Sequence, residues 1–233
     1  DYDYVFCHNE AVLYEFVEKY DPSLFKEIQS LVKKGKWSIM GGWYLQPDCT
    51  IPSGEAFLRQ ISVGREYFKE KFNATPTSAM NVDSFGHTRG LVQILKKSGY
   101  DSYFFSRPMP EFVKLPANPF LWKGYDGSLI KALRFDDYSY YGTSLGHAKE
   151  DILRKSAFFK DQDIALIGWG VGNHGGGPSR KDLRDIQTLQ EEKKGEWTIV
   201  HSTPEAYFAA IDPQVVYEKS LLPCFVKSYS SIS

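Results

Sequence analysis

The stretch Thr77-Ser-Ala-Met-Asn-Val-Asp-Ser-Phe-Gly-His-Thr-Arg-Gly-Leu-Val-Gln-Ile-Leu-Lys-Lys-Ser-Gly-Tyr-Asp-Ser-Tyr-Phe-Phe-Ser106 decides the fold. Thr77 to Val82 reads as a short strand and Asp83 to His87 as a sharp loop. Thr88 to Ser98 reads as a helix closed by Gly99, and Asp101 to Ser106 as a second strand. A helix between two buried strands is the unit of a parallel sheet, because the chain needs a crossover to return to the same end.

The same alternation continues outward in both directions. Upstream come a strand from Tyr2 to Cys7 and a helix from Glu10 to Tyr20. Asp21-Pro22 then caps a helix that runs to Lys34, where Gly35 ends it. Trp37 to Met40 is a strand, and Ser53 opens a helix to about Phe72 with Phe57, Ile61, Gly64 and Phe68 near helical spacing. Downstream, Phe120–Lys123 and Ser128–Phe135 form a hairpin turning at Asp126-Gly127. His147 to Phe159 is helical and Asp163 to Trp169 is an apolar strand. After a glycine loop come a helix from Pro178 to Lys194, a strand from Trp197 to His201 and a short helix opened by Thr203-Pro204. The expectation is an α/β domain of parallel strands with covering helices, as a barrel or an open sheet. No repeat or linker divides the chain, so residues 1–233 read as one domain, with 213–233 a trailing segment. In either architecture ligands bind beyond the carboxyl ends of the strands. Asp83, Arg107 and the loop from Gly170 to Gly177 are therefore expected to converge on one pocket.

Composition narrows the function classes. The 233 residues carry 28 Lys and Arg against 29 Asp and Glu, a net charge of −1, so no global field draws nucleic acid or an anionic membrane. No apolar run approaches the roughly 18–20 residues of a membrane span. Cys7, Cys49 and Cys224 are odd in number and lack C-x-x-C spacing, which points to a reducing, cytoplasmic setting and to buried thiols. The chain opens on DYDYVFCHNE without Met, which reads as a fragment or a processed form. Aromatic residues make up 15% of it. Several fall in expected loops (Trp43-Tyr44, Trp122, Tyr138, Tyr140-Tyr141 and Trp169), where flat faces could stack on sugar rings or simply pack in the core.

Three positions could carry chemistry. Asp83, between a strand and a glycine-containing turn, can cap the next helix or present a carboxylate to a cleft. Arg107 ends a strand before a proline and can serve a salt bridge, a carboxylate or sugar hydroxyls. Gly170-Val-Gly-Asn-His-Gly-Gly-Gly-Pro-Ser179 has five glycines in its first eight residues, which lets backbone approach a ligand closely. It lacks the Gly-Lys-Ser/Thr ending of a phosphate-binding P-loop.

Together these segments resemble the catalytic domain of glycoside hydrolase family 38, the α-mannosidases. The resemblance rests on Gly41-Gly-Trp-Tyr-Leu-Gln-Pro-Asp-Cys-Thr-Ile-Pro-Ser-Gly-Glu-Ala56 with Arg59-Gln60, on Asp83-Ser-Phe-Gly-His87 and on Leu95-Lys-Lys-Ser-Gly99. Trp122–Ser128, Gly170–Ser179 and Leu221-Leu-Pro-Cys-Phe225 with Tyr229-Ser-Ser231 extend it in the same order along nearly the whole chain. It implies a barrel-like glycosidase domain, here without its first strand, acting on mannose-containing oligosaccharides with retention of configuration. Asp83 would be both nucleophile and ligand to Zn2+, with Arg107, Tyr140, Asn173 and His174 lining the substrate. The family's His-x-Asp zinc pair and its later histidine are not matched in this chain. The remaining ligands are therefore expected outside it, since zinc takes about four. Asn173 stands where many relatives carry aspartate, and an amide cannot serve as general acid. Any homo-oligomer would form through domains outside the chain.

Three other readings compete. A metal-dependent polysaccharide deacetylase wants a His-x-x-x-His pair beside adjacent aspartates; Asp136-Asp137 is present and the histidine pair is not. A non-catalytic sugar-binding module would leave Asp83 as a cap on an open surface, and a phosphosugar- or nucleotide-binding domain would place an anion at the N-terminus of the helix starting near Pro178.

Overall fold

A computed structural model describes residues 2–135, 146–172 and 176–222. They gather into two compact units, one of Val5–Arg134 with the chain from Thr203, the other of the residues up to Tyr4 with Phe135–Ser202.

In the larger unit, strands β1 (Phe6–His8) and β2 (Trp37–Ile39) pair in parallel. Between them run helices α1 (Ala11–Tyr20) and α2 (Pro22–Lys33). Asp21 starts α2 by accepting from the Leu24 N–H, with Pro22 in the first turn where a missing N–H costs nothing. Helix α3 (Gly54–Phe72) is capped by Ser53 and leads to the second sheet. There β3 (Ser78–Asn81), helix α4 (Gly90–Lys97) and β4 (Ser102–Phe105) form the expected parallel unit. The strand order is β3-β4-β6-β5-β7, where β5 is Phe120–Lys123, β6 Leu129–Arg134 and β7 Val216–Tyr217. Strands β3, β4 and β6 run parallel; β5 is antiparallel to β6 and parallel to β7, so the sheet is mixed. Among the described residues no ladder joins the two sheets.

The core of this unit has two parts. One, between α3, α4 and the five-stranded sheet, includes Trp43, Phe57, Leu91, Tyr103, Phe105 and Trp122. The other, beneath α1 and α2, includes Tyr14, Phe25, Ile28, Phe68 and Phe72. Helix α3 serves both, because its buried positions recur at helical spacing from Phe57 to Phe72. Gly64 lets α3 lie directly against the Trp43–Tyr44 backbone.

The smaller unit packs helix α5 (Ala148–Ser156) on helix α6 (Arg180–Glu192). Asp182, fully buried in the first turn of α6, accepts from the Ala148 N–H at 3.0 Å, while Ser179 caps α6. Two expectations are corrected here. Neither 163–169 nor 197–201 forms a strand. Ile167, Trp169 and Ile199 instead pack against Ala148, Ile152, Ile186 and Leu189. An apolar run looks alike in sequence whether it is laddered or only packed on helices. The Ile199 carbonyl takes its hydrogen bond from the Gln190 side chain.

Candidate active site

Parallel pairing sets the geometry. Asn81 of β3 lies opposite Phe105 of β4, so the next residues leave the sheet side by side. Asp83 and Arg107 each follow by two positions. The Arg107 Nε donates to the Asp83 Oδ1 at 2.7 Å. The Arg107 side chain is 18% exposed and that of Asp83 46%, so the pair sits at the open end of the strands. No hydrogen bond to Asp83 Oδ2 occurs among the described residues. The guanidinium also lies 4.8 Å from the centre of the Phe85 ring, which fixes its plane. Asp83 accepts no bond from the first turn of α4, and the cap reading lapses.

The turn is stitched from behind. Gln46 Oε1 accepts from the Val82 N–H at 2.9 Å. The Pro47 carbonyl takes bonds from Asn81 Nδ2 at 2.8 Å and Ser84 Oγ at 3.0 Å. Asp48 Oδ1 gathers the Thr50 and Ile51 N–H groups and so fixes its own loop. The role of Gln46 and Pro47 was missed in the sequence, although both lie in the Gly41–Ala56 stretch quoted above. No local pattern says which distant turn a loop will brace.

His87 is fully buried. Burial lowers its pKa to about 4, against smaller opposing effects of the Arg107 carbonyl and the Asp48 charge. Its Nε2 lies 2.7 Å from the Arg107 carbonyl oxygen and its Nδ1 2.7 Å from the Tyr103 hydroxyl. Burial also raises the Cys49 thiol to about 12, so it stays protonated beside Tyr103.

Of the two readings of the aromatic residues, core packing holds for Trp43 and Trp122. Trp43 and Trp122 are fully buried, and their indole N–H groups go to the Met80 and Lys219 carbonyls. Both are core residues and offer no face to a sugar. Trp169 packs with Tyr4 and His201 in the smaller unit. Tyr138, Tyr140, Tyr141, Asn173 and His174 lie outside the described residues.

The described part of the glycine loop doubles back on itself in the smaller unit. The Val171 N–H donates to the Gly177 carbonyl at 2.9 Å, and a Cβ on Gly176 would collide with the Val171 carbonyl. Two open depressions of about 400 and 430 Å3 flank α3 around Arg65 and contain neither Asp83 nor Arg107. Among the described residues no group of three or more His, Cys, Asp or Glu side chains could hold a metal ion. Asp83 alone does not make a zinc shell. No helix among the described residues is long and apolar enough to cross a membrane.

The chain is 28% identical over 212 residues to alpha-mannosidase G of Dictyostelium discoideum, covering 89% of this chain and 19% of that protein. It is 27% identical over 214 residues to human alpha-mannosidase 2C1, covering 90% and 20%. The chain thus spans about a fifth of the length of these curated relatives. Among solved structures, an alpha-mannosidase from Enterococcus faecalis superposes with a TM-score of 0.77 at 19% identity, covering 93% of this chain and 26% of that one. A 4-alpha-glucanotransferase from Thermococcus litoralis gives 0.73 at 15% identity, covering 95% and 36%. At such identities the two structures speak for the fold alone. Residues 1–227 match the family described as the glycosyl hydrolases family 38 N-terminal domain, and because that match takes in the Asp83 turn and both sheets, the chain belongs to this family.

Proposed function

We propose that the intact protein carrying this chain hydrolyses α-mannosidic bonds in glycans, with retention of configuration and with Asp83 as nucleophile. The observation that carries the reading is the Asp83–Arg107 pair at the carboxyl ends of adjacent parallel strands, in a family 38 domain. Arg107 holds one carboxylate oxygen and leaves the other for the anomeric carbon. In a retaining mechanism the carboxylate displaces the leaving oxygen while a second group, about 5–5.5 Å away, protonates it. Water then cleaves the glycosyl ester, taking up the sugar as the carboxylate departs. Asn173 cannot be that acid, so the proton comes from His174 or from a residue outside this chain. By the family resemblance, Tyr140, Asn173 and His174 would line the sugar.

The same reading includes zinc, barrel-like closure of the two sheets and a cytoplasmic setting. Zinc, when bound, would hold the sugar's 2- and 3-hydroxyls. This chain offers it one carboxylate, Asp83, and the other ligands come from the rest of the protein. Similarity to alpha-mannosidases supports the substrate, and three cysteines, odd in number and without C-x-x-C spacing, fit a reducing compartment.

The test is Asp83→Ala in the full-length protein, assayed on an aryl α-mannoside with added zinc and with chelator. Both the substitution and the chelator should abolish hydrolysis. Turnover that survives both overturns the mechanism.

A further inference from the structure

Beneath Asp83 and Arg107 lies a row of hydrogen bonds whose direction is set by chemistry. A peptide carbonyl only accepts, so the His87 Nε2 that lies 2.7 Å from the Arg107 oxygen carries the proton. The other nitrogen of a neutral imidazole is an acceptor, so the Tyr103 hydroxyl, 2.7 Å away, donates to Nδ1. Cys49 Sγ lies 3.7 Å from the same hydroxyl and closes the row.

His87 itself is held firmly. Its N–H donates to the Leu221 carbonyl at 2.8 Å, and its carbonyl accepts from the Leu221 N–H at 2.9 Å. Tyr103 and Phe105 pack against the ring, with centroids 5.5 and 5.2 Å away. Both ring nitrogens are committed and no part of the side chain is exposed, so His87 is neither a metal ligand nor an acid or base for the sugar. Its free parameter is where it holds its acceptor. That acceptor belongs to Arg107, which stands two residues beyond the last paired position of β4.

We propose that His87 is a positioning residue for the Asp83–Arg107 pair. By donating Nε2–H to the Arg107 carbonyl it fixes the main chain from which the guanidinium reaches Asp83. Tyr103 keeps the proton on the correct nitrogen. The inference rests on the reading of Asp83 as the nucleophile.

The experiment uses the full-length protein as wild type, D83A, H87L, H87Q and R107A with and without H87L. With an aryl α-mannoside, folded H87L should lose about tenfold or more in kcat while KM stays within about threefold, the mark of a misplaced group rather than lost binding. His87→Gln, whose amide can donate to Arg107 and accept from Tyr103, should recover most of that loss. In the R107A background H87L should cost nothing further. A crystal structure of H87L should show the 2.7 Å contact between Asp83 and Arg107 opened.

An H87L protein with wild-type kcat and an intact contact overturns the proposal. So does an H87Q protein as impaired as H87L, because ring packing alone would then explain the loss. If H87L does not fold, His87→Asn replaces it: its amide is too short for both partners, and full activity overturns the proposal equally. If the wild type is inactive or D83A is active, the nucleophile reading falls. The crystal structure then decides the positioning role by itself, an intact contact overturning it and an opened one supporting it.

Discussion

Asp83 and Arg107 occupy the same station on neighbouring strands. Asn81 is paired with Phe105, each charged residue follows by two positions, and the Arg107 Nε meets the Asp83 Oδ1 at 2.7 Å. The pairing therefore owes little to long side-chain reach. It depends on the register of β3 against β4, and on whatever fixes the two chains once they leave the sheet.

Arg107→Lys should be far from conservative. A lysine keeps the charge but loses the planar fork that bonds Asp83 while lying over Phe85. In the full-length protein we expect kcat/KM on an aryl α-mannoside to fall about 10- to 100-fold, since a slightly misplaced group costs that much. Steady-state kinetics of R107K beside R107A checks it, and an unchanged value would remove Arg107 from the site.

Gly64→Ala sets local propensity against packing. In an open helix the change gains roughly 0.5–1 kcal/mol. Here the new Cβ would meet the Trp43 and Tyr44 main chain and the Gly42 carbonyl, none of which can swing aside. Overpacking of this kind costs about 1–3 kcal/mol. The thermal midpoint should drop, and a rise in calorimetry would show that α3 does not touch that backbone.

Stability should depend on pH through His87. Its folded pKa of about 4 lies below the ordinary value of 6.5, so the unfolded chain binds the proton more readily. The contribution is complete above pH 6.5 and is lost as pH falls toward 4. It is worth on the order of 3 kcal/mol at most. His8 and His201, also lowered by burial, act in the same direction, while Glu10 and Glu205, raised by burial, oppose it, so the comparison with H87Q isolates His87. Urea midpoints followed by tryptophan fluorescence should therefore rise from pH 4 to 6.5, less steeply in H87Q. An identical slope in that variant would show that His87 does not titrate as described.

Zinc should bind weakly to the 233-residue chain expressed alone. Asp83 supplies one carboxylate, and no group of three candidate ligands occurs among the described residues. Calorimetric titration should show no sub-micromolar site. Finding one would place a metal centre on residues not assigned to it here.

Much of the fold was legible because local signals and burial agree. Asp21-Pro22, Ser53 and Thr203-Pro204 each mark a helix start that the structure keeps, since capping is decided within four residues. The β3–α4–β4 unit was equally plain, with apolar strands bounding an amphipathic helix. The Trp169 and Ile199 segments were misread because apolar character reports burial and not ladder pairing. For Trp43 and Trp122 the sequence left ligand stacking and core packing both open, and burial decides for the core.

By itself the sequence determined the order of elements, the family motifs and the position of Asp83 at a strand end, all of which depend on neighbours along the chain. Only the tertiary structure decided that Arg107 is the partner of Asp83, that Gln46 and Pro47 brace their turn, and that His87 grips Arg107 from below. Those contacts join residues 20 to 37 positions apart. They are set by strand register and by the need of buried polar atoms for partners, and neither is written in any one segment.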